Sequence, residues 1–287
     1  MSNSHGFKRI FLATDGSTQS DAALLAATTL ASASAARVRV AHVWNLELHH
    51  RHGHWDVEVR GEAQRLVDGA VGHLQAAGVL ADREILRADD DHVASAIVAA
   101  ARNFGADLVV VGSRDASDWP SILKHSGDNH LLCALDCPLL IVRDRPAAQR
   151  QSQRVLLALA GGDEIGASVH AAVAAASAHG SALLVLHVPQ TIGSNGFVFD
   201  EAAETEATMS RAIRLVTEAG IVVESLVAHH LPAAETVVET AKSWNADMIV
   251  VGSSRMSDIA SMVLSSVSHH LLRTTGRPVL IAQGMRP

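Results

Sequence analysis

Two α/β domains in tandem, each a doubly wound parallel sheet with helices on both faces, are what this 287-residue sequence encodes. The first sign is an internal repeat. Ala106-Asp107-Leu108-Val109-Val110-Val111-Gly112-Ser113 returns as Ala246-Asp247-Met248-Ile249-Val250-Val251-Gly252-Ser253. Cys137-Pro138-Leu139-Leu140-Ile141-Val142 returns as Arg277-Pro278-Val279-Leu280-Ile281-Ala282. Gly112 and Gly252 lie 140 residues apart, as do Pro138 and Pro278, while His42 and His187 lie 145 apart. A repeat of that length is a whole domain rather than a solenoid unit. The second sign is alternation: short β-branched apolar runs take turns with longer Ala-rich helical stretches, the rhythm of strand–helix–strand units.

Strands are expected at 9–14, 38–43, 83–86, 108–112 and 139–143, then at 155–159, 182–188, 223–227, 248–252 and 279–282. Runs such as Leu108-Val109-Val110-Val111 are apolar on both faces, which marks interior strands of a covered parallel sheet. The third run of each copy is different, carrying Arg83, Glu84 and Arg87, or Glu224 and Ser225, as an edge strand should. Residues 22–36 read as an Ala/Ser/Thr-rich helix packed on a sheet, and 94–103 and 233–244 carry apolar residues at helical spacing. Between the copies, 144–154 mixes Arg145, Arg150 and Arg154 with Pro and Gln. It has no apolar periodicity, so an exposed connector is expected there, with the domains at 1–146 and 147–287.

The bulk numbers exclude several classes of function. The chain is 48% hydrophobic and 18% charged, with a net charge of −7 and only 3% aromatic residues, none of them tyrosine. Nucleic-acid binding wants a basic face and stacking rings, so it is not expected. Cys133 and Cys137 are too few for a disulfide framework and read as buried reduced thiols, which fits the cytoplasm. The opening residues lack signal-peptide character, and 22–36 falls short of the roughly 20 apolar residues of a membrane span. No nucleophile elbow, Walker loop, Cys/His quartet or paired-carboxylate motif is present. No enzymatic activity is expected beyond slow ATP hydrolysis.

Certain residues combine into a known pattern. Ala13-Thr14-Asp15-Gly16-Ser17 is followed by Ser20 and Ala22-Ala23-Leu24; His42-Val43 closes the second strand. Gly112-Ser113 ends the fourth, and Cys137-Pro138 opens the fifth. Together these landmarks resemble a universal stress protein domain, and the resemblance covers the chain twice over. It implies a sheet of order 3-2-1-4-5 and domains that pair through their last strands, here as an internal pseudo-dimer with a pseudo-twofold axis. Further association into a homodimer stays open. In that order strands 1 and 4 are neighbours whose connections leave to opposite faces, and open α/β sheets hold ligands in the crevice at such a point.

Nucleotide-binding members of the family carry Gly-x-x-Gly, nine residues, then Gly-Ser/Thr, because glycines let backbone N–H groups approach phosphate oxygens. The first copy reads Gly112-Ser113-Arg114-Asp115, nine residues, His125-Ser126; the second reads Gly252-Ser253-Ser254-Arg255, nine residues, Ser265-Ser266. Each keeps the first glycine and the last serine and loses both other glycines. The resemblance has Asp15, the carboxylate after strand 1, accept from the base side of the nucleotide and counts Ala13, Thr14 and Val43 among the cofactor-binding residues; the counterpart of Asp15 in the second copy is Ala160. A carboxylate at Asp115 within about 4 Å of a phosphate oxygen repels it by roughly 4 kcal/mol at an effective dielectric of about 20, unless Mg²⁺ bridges the two. Arg255 can grip a phosphate or take its place.

Two classes of function therefore compete. In one, the first copy holds ATP or AMP, with or without Mg²⁺, and the second copy is an eroded site. In the other, the protein binds no nucleotide and the altered loops 115–126 and 255–266 face a protein partner. The doubly altered glycine loop leans toward the second class, as does Trp119-Pro120, a rigid apolar pair where a phosphate loop should flex. A minor alternative is metal binding by His49, His50, His52 and His54. Four imidazoles in six residues can ligate Zn²⁺ or Ni²⁺, with Asp56 or Glu58, although Arg51 among them adds opposing charge.

Overall fold

The computed structural model describes residues 5–45, 56–88, 92–113, 134–143, 154–159, 165–189, 202–228, 232–252 and 266–283. The first half runs β1 (Arg9–Ala13), α1 (Thr18–Ser34), β2 (Arg37–Asn45), α2 (Asp56–Ala76), β3 (Leu80–Ala88), α3 (Val93–Phe104), β4 (Leu108–Gly112) and β5 (Leu139–Val142). The second runs β6 (Arg154–Leu159), α4 (Ile165–His179), β7 (Ala182–His187), α5 (Ala202–Glu218), β8 (Val223–Val227), α6 (Ala233–Ser243), β9 (Met248–Gly252), α7 (Ser266–Thr274) and β10 (Val279–Ala282).

All ten strands join one sheet, in the order β3-β2-β1-β4-β5-β10-β9-β6-β7-β8. Each half has the expected order 3-2-1-4-5, and every pairing within a half is parallel. The halves meet where β5 pairs antiparallel with β10, Leu140 opposite Leu280 and Leu139 opposite Ile281. Leu280 is the repeat counterpart of Leu140, so this pair sits on the pseudo-twofold axis. Both seam strands are buried along their whole length, which is why they read as unbroken apolar runs. The two charged runs are the outermost strands, β3 and β8, as their composition requires.

The faces of the sheet are filled differently. On one, α1, α2, α4 and α5 pack over Ile10, Leu12, Val38, Val110, Leu140, Val155, Val250 and Leu280 in a single cluster that crosses the seam. Small residues make this possible. Ala22, Ala23, Ala27 and Ala31 of α1 are fully buried, and so are Ala172, Ala175 and Ala176 of α4, which lets the two helices pack on each other. α3, α6 and α7 cover the other face over Phe11, Val109, Ile141, Leu156, Ile249 and Ile281. Neither half keeps a core of its own.

Three tertiary details repeat with the sequence. Arg9 stacks on Phe104 at 4.6 Å and Arg154 on Trp244 at 5.4 Å, guanidinium carbon to ring centre. The amide of Asp107 donates to the Arg9 carbonyl and that of Asp247 to the Arg154 carbonyl, each at 2.9 Å. His42 Nδ1 lies 2.8 Å from the Thr14 carbonyl, and His187 Nδ1 lies 3.2 Å from that of Leu159. Because a carbonyl only accepts, both imidazoles carry their proton on Nδ1.

One boundary needs correcting. Arg154, expected in the connector, is the first residue of β6, held by its stacking and by a 2.8 Å hydrogen bond from Nη1 to the Trp244 carbonyl. Arg143, next to the connector, is equally committed. Its Nη1 donates to the carbonyls of Leu272 and Thr275 at 2.7 and 3.1 Å, so a first-half cation caps the negative end of second-half helix α7. The rest of the connector, 144–153, lies outside the described residues.

Truncating the seam should cost what a buried leucine costs, about 2–5 kcal/mol for Leu140→Ala or Leu280→Ala. Because the cluster crosses the seam, urea unfolding followed by a lone Trp44 in the first half and a lone Trp244 in the second should shift together in both variants. Separate midpoints for the two reporters would contradict a shared core.

Candidate functional site

The strand order brings together the carboxyl ends of β2, β1 and β4. Ala13 is paired with Ala41 on one side and Val111 on the other, so the residues that follow, Asp15 and Gly112, lie side by side at the rim of the sheet. Val43 stands two residues beyond Ala41 on β2 and completes the row. Ala13, Thr14 and Val43 are partly buried and Asp15 is exposed. The stretches around Asp15 and Gly112, expected to face one another, are thus adjacent at the strand ends.

Asp15 is shaped by its own loop. Its Oδ1 accepts from the Ser17 amide at 3.0 Å and from the Ser20 hydroxyl at 2.5 Å, while its amide donates to Ser20 Oγ at 3.0 Å. The Ser17 side chain caps α1 by accepting from the Ser20 amide at 3.2 Å. Thr14 is tied to β2 by its amide, which donates to the Ala41 carbonyl at 2.9 Å, and by the His42 ring on its own carbonyl. Gly16 completes the turn at φ +78°, a conformation that disfavours a side chain, and it packs under Leu66 of α2. Residues 13–17 are thus held in place by their own loop and by β2. The positive N-terminal end of α1 lies at the same strand ends, against Gly112.

Gly112 is glycine for a reason internal to the fold. A Cβ there would lie 2.5 Å from the Gln19 carbonyl carbon and 2.6 Å from the Ser20 nitrogen, both backbone atoms of α1. In the second half the equivalent clash is softer, because a Cβ on Gly252 would meet only the Ser168 hydroxyl, 2.7 Å away. Ser113 follows Gly112 and is held by its amide, which donates to the Val142 carbonyl at 2.9 Å. Its side chain is 2% exposed, and its hydroxyl finds no hydrogen-bond partner. Buried hydroxyls without partners are rare, because each costs about 1–3 kcal/mol of lost hydration.

Of the other expected site residues, Ser266 is the first residue of α7. Arg114, Asp115, Ser126, Ser253 and Arg255 lie outside the described residues, as do His49, His50, His52 and His54. Asp56 and Glu58 begin α2. Among the described residues no group of three or more His, Cys, Asp or Glu is placed to hold a metal, and no helix is long and apolar enough to cross a membrane. Cys137 is buried. Desolvation, with Asp107 and Asp136 nearby, pushes its thiol up to about 12.

Two halves of strand order 3-2-1-4-5 joined through their last strands define a class, and comparison with known proteins agrees. The family model described as the universal stress protein family matches twice, over residues 6–143 and 151–283. The chain belongs to the universal stress protein family. It is 27% identical over 290 residues to the universal stress protein Rv2005c of Mycobacterium tuberculosis, with 96% of each chain covered. A universal stress protein from Archaeoglobus fulgidus has the same fold at a TM-score of 0.73 and 20% identity, covering 98% of this chain and 99% of its own. Another structure from that organism, a universal stress protein in complex with dAMP, covers 45% of this chain and 97% of its own at TM-score 0.37 and 17% identity.

Two outcomes test this geometry. Gly112→Ala should destabilise the protein by about 1–3 kcal/mol in urea unfolding, as overpacking does. Gly252→Ala should cost less and be relieved by adding Ser168→Ala. In a Cys133→Ser background, Cys137 should resist a thiol reagent at pH 8 until denaturant is added, since almost none of it is thiolate there.

Proposed function

We propose that this protein is a stress-response binding protein whose first half takes an adenine nucleotide, ATP or AMP, while its second half has lost that capacity. The observation that carries the reading is the buried Ser113 hydroxyl, which has no hydrogen-bond partner among the described residues and directly follows Gly112 at the end of the strand paired with β1. A ligand oxygen would satisfy that hydroxyl, and the α1 N-terminus favours negative charge close by. On this reading Asp15, Thr14 and Val43 take the base side, and Ser113, Arg114 and Ser126 take the phosphates. A bound Mg²⁺ would offset the charge of Asp115. The second half lacks the carboxylate, with Ala160 in its place, and has Arg255 where a glycine is needed. The dAMP of the Archaeoglobus complex belongs to that protein; the reading here rests on residues of this chain.

A second reading has an observation of its own. The turn consumes Asp15 Oδ1 and the α1 backbone requires Gly112, so both residues would be kept in a protein that binds no nucleotide and works through a protein partner. Catalysis is not part of either reading.

Isothermal titration of the full chain with ATP and with AMP, each with and without Mg²⁺, separates the two. One site per chain is expected, weakened tenfold or more by Asp15→Ala, the scale of losing a hydrogen bond to a charged group, about 1.5–3 kcal/mol. ATP should gain more from Mg²⁺ than AMP does. No heat with either nucleotide leaves the partner-binding reading standing.

A further inference from the structure

The two ends of the ten-stranded sheet have diverged. On the face shared with α3, the first-half edge is a closed charge network. Arg37 and Arg39 of β2 both bind Asp82 of β3, at 2.5 Å, and Arg39 also reaches Glu84 at 3.4 Å. Burial alone would raise the Asp82 carboxyl, but hydrogen bonds from Arg39 and Arg37 outweigh it and hold it below its ordinary value. Arg39 further stacks on Phe104 at 4.8 Å. A strand so occupied gives an incoming strand little to bind.

The repeat partners of those residues in the second half are apolar. Through the strand registers, Arg37, Arg39 and Glu84 correspond to Ala182, Leu184 and Leu226, and only Asp82 keeps a charge, as Glu224. Val222 and Leu226 are 73% and 42% exposed. Helix cover differs too: α3 packs over β1, β2 and β3, but α6 makes no comparable contact with β8. Residues 222, 224 and 226 share one face of the strand with Trp244, whose Nε1 donates to Glu224 at 3.2 Å. The result is an open strand edge bordered by an uncovered apolar strip. Leu80, the counterpart of Val222, is equally exposed at 74%, but it stands beside the charge network and continues no apolar strip.

We infer that this edge is a self-association surface, on which β8 of one chain pairs with β8 of a second copy. Three features select a second copy over a foreign strand. The strip's one charge, Glu224, accepts from Trp244 Nε1, and Arg154, two strands in from the edge, stacks on the same indole, so the strip presents little free charge to a second copy of a chain of net charge −7. The sheet already joins its halves by edge-to-edge antiparallel pairing with Leu140 against Leu280 on the axis, and β8 offers Leu226 for the same arrangement. The opposite edge is blocked by charge, so pairing through β8 closes at two copies instead of running on as a fibre. The inference does not depend on nucleotide binding.

Sedimentation equilibrium of the full chain, from low to high micromolar, should give twice the chain mass at the upper end. Leu226→Glu, which places in the second half what Glu84 is in the first, should weaken the dimer at least tenfold. Leu80→Glu should leave it unchanged. Thermal unfolding of both variants controls for folding, and both sites are exposed enough to accept a carboxylate. A wild-type chain that stays monomeric throughout overturns the inference and leaves the edge to a foreign strand. A dimer indifferent to Leu226→Glu, or equally sensitive to Leu80→Glu, overturns it as well.

Discussion

The pairing of β5 with β10 is the interaction on which everything else here rests. Two five-stranded parallel sheets, each ending in a fully apolar strand, would each expose a row of unpaired N–H and C=O groups beside a bare hydrophobic surface. Joining them antiparallel satisfies those groups and buries Leu139–Val142 and Val279–Ala282 together. Because α1 and α4 lie over the seam, the same contact merges two domain-sized cores into continuous layers, one on each face. Arg143 adds a polar tie on the opposite face by gripping the end of α7. A chain built this way is one cooperative body with an internal near-symmetry, not two beads on a linker.

Near-symmetry makes the departures from it informative. Where the fold itself needs a residue, the halves agree: Gly112 and Gly252 end their strands against a helix, and His42 and His187 brace the same carbonyl. The cation stacked on Phe104 has its equal on Trp244. Elsewhere they part, even where one half gives the residue a structural task. Asp15 becomes Ala160, and the charged edge of β3 becomes the apolar edge of β8. The second half has kept its architecture and changed its surface.

Asp15 and Gly112 show why a motif is weaker evidence than it looks. Both are hallmarks of a nucleotide cleft, yet each has a structural task here, one as the acceptor that closes the turn into α1, the other as the only residue the α1 backbone tolerates. Their presence alone would not argue for a ligand. Ser113 is different, since its hydroxyl is buried and hydrogen-bonds to none of the described residues.

Much of this molecule was legible in the order of its residues. The duplication, the ten strands and the outer position of the charged runs follow from local periodicity and spacing, because an interior strand must be apolar on both faces, while the candidate site residues at the ends of strands 1 and 4 came from the family resemblance. Helices α2 and α5 were harder to see, although Val67, Val71 and Leu74 of the one and Met209, Ala212 and Val216 of the other recur at helical spacing; their polar faces and the glycines at 61, 69 and 72 dilute the signal. Residue order could not show that Arg154 opens a strand, that Arg143 caps a helix 129 residues away or that Ser113 lacks a partner. Nor could it show that Leu226 lies uncovered while its counterpart Glu84 is paired. Those facts depend on which distant atoms come within about 3–4 Å of one another, and only the packing of the whole chain sets that distance.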